Sequence, residues 1–348
     1  MIRTPAFKVA VAVVAVVAVV SILHSRTSKP MPGSIAPSHV GPNGMARNEL
    51  TVGFLPVTCH LTCPVTDYAS KHTTTGTNFN SLRFTEFPPI ADALKTKQLQ
   101  ATFMIVPLAM KLREQGVPVK ICYLGHRDGS TFVVRKASTA KSIRDLKGKS
   151  IGIPSIYSNQ NLLLHKLMAD NGMHEGDIKF IVIPPPDMPT ALASGGIEGY
   201  FVGEPHAAKA EVDGTGRVLY NSYDIDPHFV SCALVVHEDL INQHPEIVKD
   251  LVANIAASGK WADSHRTEAA HIAAPLFKQK EALLRYVLTQ PGRVSYSNLT
   301  PTDEDMNKIE DLAIQQKILK TKVPLTDILD RDFIPTTIPD SKIEVAKG

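Results

Sequence analysis

Cysteine and tryptophan are scarce: the chain has four cysteines (Cys59, Cys63, Cys122, Cys232) and one tryptophan (Trp261) in 348 residues. So few cysteines over that length make no disulfide scaffold, and the fold must rest on an ordinary hydrophobic core. Acidic residues are missing from residues 1–48, which carry Arg3, Lys8, Arg26, Lys29 and Arg47. The formal net charge of +3 is therefore +5 in that segment and −2 in the remainder. A nearly neutral body without a basic stripe excludes the nucleic-acid-binding class. The chain also lacks an internal repeat, and it lacks low-complexity sequence apart from a polar stretch near the N-terminus.

What the N-terminus does contain is a targeting pattern. Arg3 and Lys8 precede Val9–Leu23, fifteen residues of Val, Ala, Ile and Leu broken only by Ser21. A basic start followed by such a run reads as a secretory signal over residues 1–25. It is short of the about 20 residues a spanning helix needs, and an uncleaved anchor in the inner membrane is the alternative. No cysteine follows it to accept a lipid. Residues 26–48 read as a flexible tether. An exported body, periplasmic or otherwise extracytoplasmic, is the expectation.

From Glu49 onward short apolar runs alternate with helical patterns. The strand candidates are residues 50–57, 81–87, 101–107, 120–126, 131–136, 150–154, 178–184, 197–203, 217–221 and 232–238. Helix candidates such as PVTDYASKH, PPIADALKTKQ and NLLLHKLMADNG lie between them. This alternation predicts parallel sheets built from βαβ units. After about Glu238 the pattern is helical. Ligands of such sheets bind at the carboxyl ends of the strands. There the loop SIYSNQN (155–161) offers Ser155, Tyr157, Ser158, Asn159 and Gln160, more polar groups than the helix cap expected at Ser158 or Asn159 needs.

GHRDGSTFVVRK (125–136), SIRDLKGKSIGIP (142–154), the ALASGGIEGYFVGEP run and CALVVHEDLI (232–241) together resemble the solute-binding proteins of ABC importers. The nitrate, sulfonate, taurine and bicarbonate group is the most similar. The resemblance implies an α/β, two-lobed periplasmic-binding-protein fold of type II, with two crossover hinge strands and a ligand cleft between the lobes. Lobe one would be 49–130 plus 232–335, lobe two 131–231, and 336–348 a C-terminal tail. The crossovers would be TFVVRK (131–136) and the segment near His228–Cys232.

The implied function is non-catalytic and needs no cofactor: capture of a small polar or anionic solute for delivery to a permease and ATPase encoded elsewhere, since the chain has no motif of either. Ligand loops would be 58–63, 87–89, 107–108 (with Pro107), 155–160 and 203–206. The alternatives are a cysteine-dependent enzyme resembling the thiamine-pyrimidine synthase, or a soft-metal capture protein. The family's usual turn after the first helix is absent here, and its first ligand loop is TCHLTCP instead of a small or aromatic set, so the particular solute cannot be carried over.

The first ligand loop, TCHLTCP (58–64), brings Thr58, Cys59, His60 and Cys63 to the start of a helix expected at Pro64. Four readings fit: free thiols lining the pocket, a Cys59–Cys63 disulfide, a soft-metal site from Cys59, Cys63 and His206, or plain packing. Cys232 and His206 are expected to face the same cleft. Glu204 reads either as a ligand contact or as a salt-bridge partner of Arg127 or Lys209. His126, Arg127 and Asp128 read as turn residues, Cys122 as a buried thiol, and His165 and Trp261 as helix packing.

Overall fold

The computed structural model describes residues 36–40, 46–72, 76–341 and 343. The apolar stretch Val9–Leu23 lies outside them, and among the described residues no helix is long and apolar enough to cross a membrane. The strands are β1 (Ala36–Val40), β2 (Ala46–Phe54), β3 (Asn78–Arg83), β4 (Ala101–Ile105), β5 (Val119–Leu124), β6 (Arg127–Asp128), β7 (Ser130–Arg135), β8 (Ser150–Ile153), β9 (Lys179–Val182), β10 (Gly199–Gly203), β11 (Gly216–Asn221), β12 (Cys232–His237) and β13 (Val294–Ser295). Each apolar run read as a strand overlaps one, with the ends displaced by up to four residues at β2 and β3.

Two larger sheets result, and they share a plan. The first runs β3-β2-β4-β12-β5, and the second β9-β8-β10-β7-β11. In each, β2 with β3 and β4, or β8 with β9 and β10, pair in parallel. One strand in each sheet runs against its neighbours: β12 between β4 and β5, and β7 between β10 and β11. Both antiparallel strands are the first the chain forms after changing sheets. β1 adds to the first sheet antiparallel to the start of β2, so part of the expected tether is paired strand.

The second sheet is buried on both faces. Phe132, Val134 and Phe201 belong to one apolar cluster, whereas Val133, Tyr200 and Val202 belong to another. That alternation is the period of a strand, and it explains why the run reads as continuously apolar. The core of the first sheet is larger, and the helices Pro245–Ser264, Arg266–Phe277 and Glu281–Thr289 contribute to it. Ile338, in the expected tail, packs against the same core.

The chain passes between the sheets twice. Thr131–Lys136, expected to be the first crossing, is β7 within the second sheet, so the crossing falls earlier, at Gly125–Gly129. Its β6 pairs with β13 and forms an antiparallel bridge to Val230 of the return crossing. Asp128 and Gly129 both take positive φ (61° and 68°), as the Asp-Gly turn signal requires.

Gly125 marks a close approach. A Cβ there would lie 2.0 Å from the carbonyl oxygen of Cys59. Gly125→Ala should therefore lower stability by about 1–3 kcal/mol, read as a drop in the urea midpoint with an unchanged slope. An unchanged midpoint would contradict this packing of the cysteine loop on the crossing.

Candidate functional site

A narrow cavity lies between the sheets at the carboxyl ends of their strands. The first sheet supplies Val57 and Cys59 after β2, Phe87 after β3, Ile105 at the end of β4, and Ser231 and Cys232 at the start of β12. The second supplies Pro154, Pro185, Val202, Gly203 and Gln160. Most of the wall is apolar, and it contains no Lys, Arg, Asp or Glu. Its functional atoms are the two sulfurs, the Gln160 amide and the Ser231 hydroxyl.

The cysteine loop reaches this wall through a short 3-10 turn, Thr58–His60, that precedes the helix Thr62–His72. Pro64 thus sits inside the first helical turn instead of opening it. The turn leaves Cys59 facing the cavity and carries Cys63 away, where its Sγ contacts Ser81 Oγ at 3.4 Å and Val52 O at 3.8 Å. Cys59 Sγ lies 2.8 Å from Cys232 Sγ, in hydrogen-bond contact and beyond the length of a disulfide. All four cysteines are free thiols, so the 59–63 disulfide is not formed. The grouping of Cys59 and Cys63 with His206 is replaced by Cys59, His60 and Cys232, each with a ligating atom within 4.8 Å of the others.

Polarity in this cluster is set by the backbone. Leu55 N–H donates to His60 Nδ1 at 2.7 Å. An accepting Nδ1 places the proton of the neutral ring on Nε2, and Nε2 has no partner of its own among the described residues. Burial pushes the Cys232 thiol up, but donation from Cys59 and the neighbouring His60 outweigh it and bring it below the usual thiol range. Cys59 moves the opposite way, well above the usual thiol range, through burial and the adjacent Cys232. Burial holds Cys63 at about 12. Cys232 Sγ is thus the acceptor and Cys59 Sγ the donor of this buried contact.

The polar loop 155–161 has a different task from the one expected. Ser158 caps the helix Asn159–Asp170, accepting from Asn161 N–H at 3.1 Å. Ser155 serves this turn too, its hydroxyl accepting from Tyr157 N–H and its carbonyl from Ser158 Oγ. Asn159 Nδ2 donates to the carbonyls of Val230 and Ser231. Gln160 Nε2 donates to Ser130 Oγ at 3.0 Å and Ser231 Oγ at 3.1 Å, one hydroxyl beside each crossing. Of this loop only Gln160 lines the cavity, and its Oε1 has no partner among the described residues.

Thr58, Pro107, Glu204 and His206 are buried behind the wall and do not line it. Glu204 is completely buried: Oε1 accepts from Thr131 Oγ1 and the Arg293 guanidinium, and Oε2 from Ala208 N–H. Arg293 also pairs with Glu211. The expected partners of Glu204 are engaged elsewhere, Arg127 with Asp305 and Lys209 with Asp213. Sequence reasoning missed Arg293, whose separation from Glu204 offers no local signal. The expected loop 87–89 does supply Phe87, but Ile105, Pro154, Pro185, Val202 and Ser231 were missed, although each lies near a strand end.

Two more histidines stand behind the cavity. His126, read as a turn residue, is fully buried and its Nε2 meets Thr58 Oγ1 at 3.0 Å. His206 Nε2 meets the carbonyl of Pro56 at 3.1 Å. Burial lowers His126 to about 3 and His206 to about 4.

These features define a class: two α/β lobes of like topology, crossed twice, with a cavity at the facing strand ends, the fold of periplasmic solute-binding proteins. The ligand-binding component of an ABC-type import system from Staphylococcus aureus, solved with zinc bound, superposes with a TM-score of 0.75 at 25% identity over 82% of this chain and 97% of that one. The nitrate-binding protein NrtA from Synechocystis gives 0.74 at 14% identity, covering 82% and 86%. The desulfurization enzyme DSZB shares the fold at 0.59 and 16% identity, covering 82% and 97%.

The chain belongs to the NMT1-like family, whose model matches residues 44–277. It is 26% identical over 288 residues to the nitrate import ATP-binding protein NrtC of Synechocystis, covering 76% of this chain and 42% of that protein. It is 30% identical over 145 residues to the taurine-binding periplasmic protein of Escherichia coli, covering 41% and 44%. The chain thus spans less than half the length of these two curated relatives.

Two outcomes follow from the groups behind the cavity. Arg293→Ala leaves Glu204 buried without its cation, and should cost about 3–5 kcal/mol in a urea titration; a loss within error of zero would contradict the pair. His126 and His206 stay neutral when folded but take up protons near pH 6.5 when unfolded. Stability should be complete above about pH 6.5 and fall as pH drops toward 4, by up to about 1.4 kcal/mol per pH unit for each histidine. Urea midpoints that agree at pH 7 and pH 5 would refute this.

Proposed function

We propose that the chain is the extracytoplasmic substrate-binding component of an ABC import system, and that it acts without catalysis. The observation that carries this reading is the cavity itself, closed by strand ends from both lobes with no Lys, Arg, Asp or Glu in its wall. Such a wall replaces a solute's water with a few fixed polar groups and apolar contact. Lobe closure over the solute would then be the signal read by a permease and its ATPase. The basic, apolar N-terminal pattern supports export, with residues 9–23 serving as a signal or an inner-membrane anchor.

The cavity has free space of about 10 Å³, room for about one water, so a solute would enter it only as the lobes part. The small polar or anionic class, as with nitrate, bicarbonate, taurine or a short alkanesulfonate, needs the least opening. Within it the wall favours one type. Gln160 Oε1 and the Cys232 sulfur are acceptors, so a ligand with an N–H or O–H donor and a small apolar body matches better than a bare oxyanion.

Isothermal titration of the purified chain with nitrate, bicarbonate, taurine and short alkanesulfonates tests the reading. At least one should bind, with affinity reduced about tenfold or more by Gln160→Ala, which removes one buried hydrogen bond. Failure of the whole panel to bind, or chemical conversion of a bound member, would overturn it.

A further inference from the structure

The Cys59–His60–Cys232 cluster is more elaborate than solute capture needs. The two sulfurs are buried, face one cavity and lie 2.8 Å apart across 173 residues of chain. That distance separates two chemistries. Tetrahedral thiolate–zinc geometry holds two sulfurs about 3.8 Å apart, so a metal would have to spread this pair. Closing a disulfide requires an approach of less than about 1 Å. The histidine points the same way: with Nδ1 accepting from Leu55 N–H, its Nε2 presents a proton and not a lone pair. It supports an anion on sulfur and is ill suited to coordinate a cation.

We propose that Cys59 and Cys232 are a dithiol–disulfide pair in the wall of the interlobe cavity, with Cys232 the attacking sulfur and Cys59 the resolving one. The co-reactant is a low-molecular-weight disulfide, RS–SR, reaching Cys232 when the lobes part. The Cys232 thiolate attacks one sulfur, forming Cys232–S–SR and expelling RS⁻. Cys59 then gives up its proton to that RS⁻, and its sulfur attacks Cys232 Sγ, expelling the second RS⁻, which takes a proton from solvent. Two protein sulfurs are oxidised and RS–SR is reduced to two RSH. The lowered Cys232 and raised Cys59 agree with this division of roles. The closed pair would remove the Cys232 acceptor from the cavity wall, so redox state would set the polarity a ligand meets.

The test uses the full-length chain equilibrated over a series of oxidised-to-reduced glutathione ratios, acid-quenched, alkylated and mapped by peptide mass spectrometry. It does not depend on the transport role or on knowing the solute. The expected result is one disulfide, joining Cys59 to Cys232, with Cys63 and Cys122 alkylated throughout. Cys59→Ser should stop at a glutathione mixed disulfide on Cys232, and Cys232→Ser should accumulate none on Cys59. The wild-type peptide map decides connectivity even if a variant folds poorly. A Cys59–Cys63 link, no disulfide at any ratio, or a zinc or copper ion bridging the two sulfurs in the native mass spectrum would overturn the proposal.

Discussion

The arrangement turns on the completely buried carboxylate of Glu204. It belongs to the turn after β10 in the second lobe, yet its charge is met by Arg293, which follows the helix Glu281–Thr289 packed in the first-lobe core. A buried charge is tolerated only when donors replace its water. Here Thr131, Ala208 and Arg293 all donate. The backbone of Glu204 extends the tie, since its carbonyl accepts from Thr58 N–H at 2.6 Å. One residue thus fixes the second-lobe turn, the late helices and the start of the cysteine loop. Under the proposed function the lobes part, and an ion pair suits such a joint because water can take over from each partner. A purely apolar seal would expose its surface unreplaced.

The hinge is built in a comparable way from polar groups. Arg127, on the first crossing, holds Asp305 with two hydrogen bonds and donates to the carbonyls of Asn298 and His228, so the crossing is pinned to the late helices and to the return path. The β6–β13 pairing lies against the same segment. Under the proposed function, rotation of the lobes would be absorbed over a few residues on either side, where Gly125 occurs and Gly129 and His228 take positive φ.

Much of this was legible in the sequence because it is local. Parallel strands buried on both faces leave apolar runs of the right length, and the helices between them carry recognisable starts, of which Ser158 is one. The crossing was displaced for the same reason: Phe132–Val134 is as apolar as any central strand because it is one. The cysteine site was only half legible. Cys59 and Cys63 are neighbours in sequence, but a helix begins between them and turns Cys63 toward β2 and β3. Cys59 finds its partner in Cys232, at the start of the return strand, which only the β4–β12 pairing brings near. Arg293 left no trace at all, since nothing in its vicinity announces a carboxylate from the other lobe.

The polar run 155–161 shows why the site and the hinge cannot be separated. Its side chains were expected to surround a ligand, but Asn159 and Gln160 grip the return crossing, and Gln160 reaches Ser130 beside the outgoing one. Gln160 nevertheless keeps an unpartnered Oε1 in a residue that lines the cavity, and Ser231 lines it as well. A ligand that donates to Gln160 or Ser231 therefore acts on the same amide and hydroxyl that hold the two crossings together. Binding and lobe angle then share atoms, and no chain of intermediaries is needed to couple them. Cys232 follows Ser231 directly, so a change in the sulfur pair would act on the same short segment. The cavity wall and the hinge are, over Val230–Cys232, one piece of backbone.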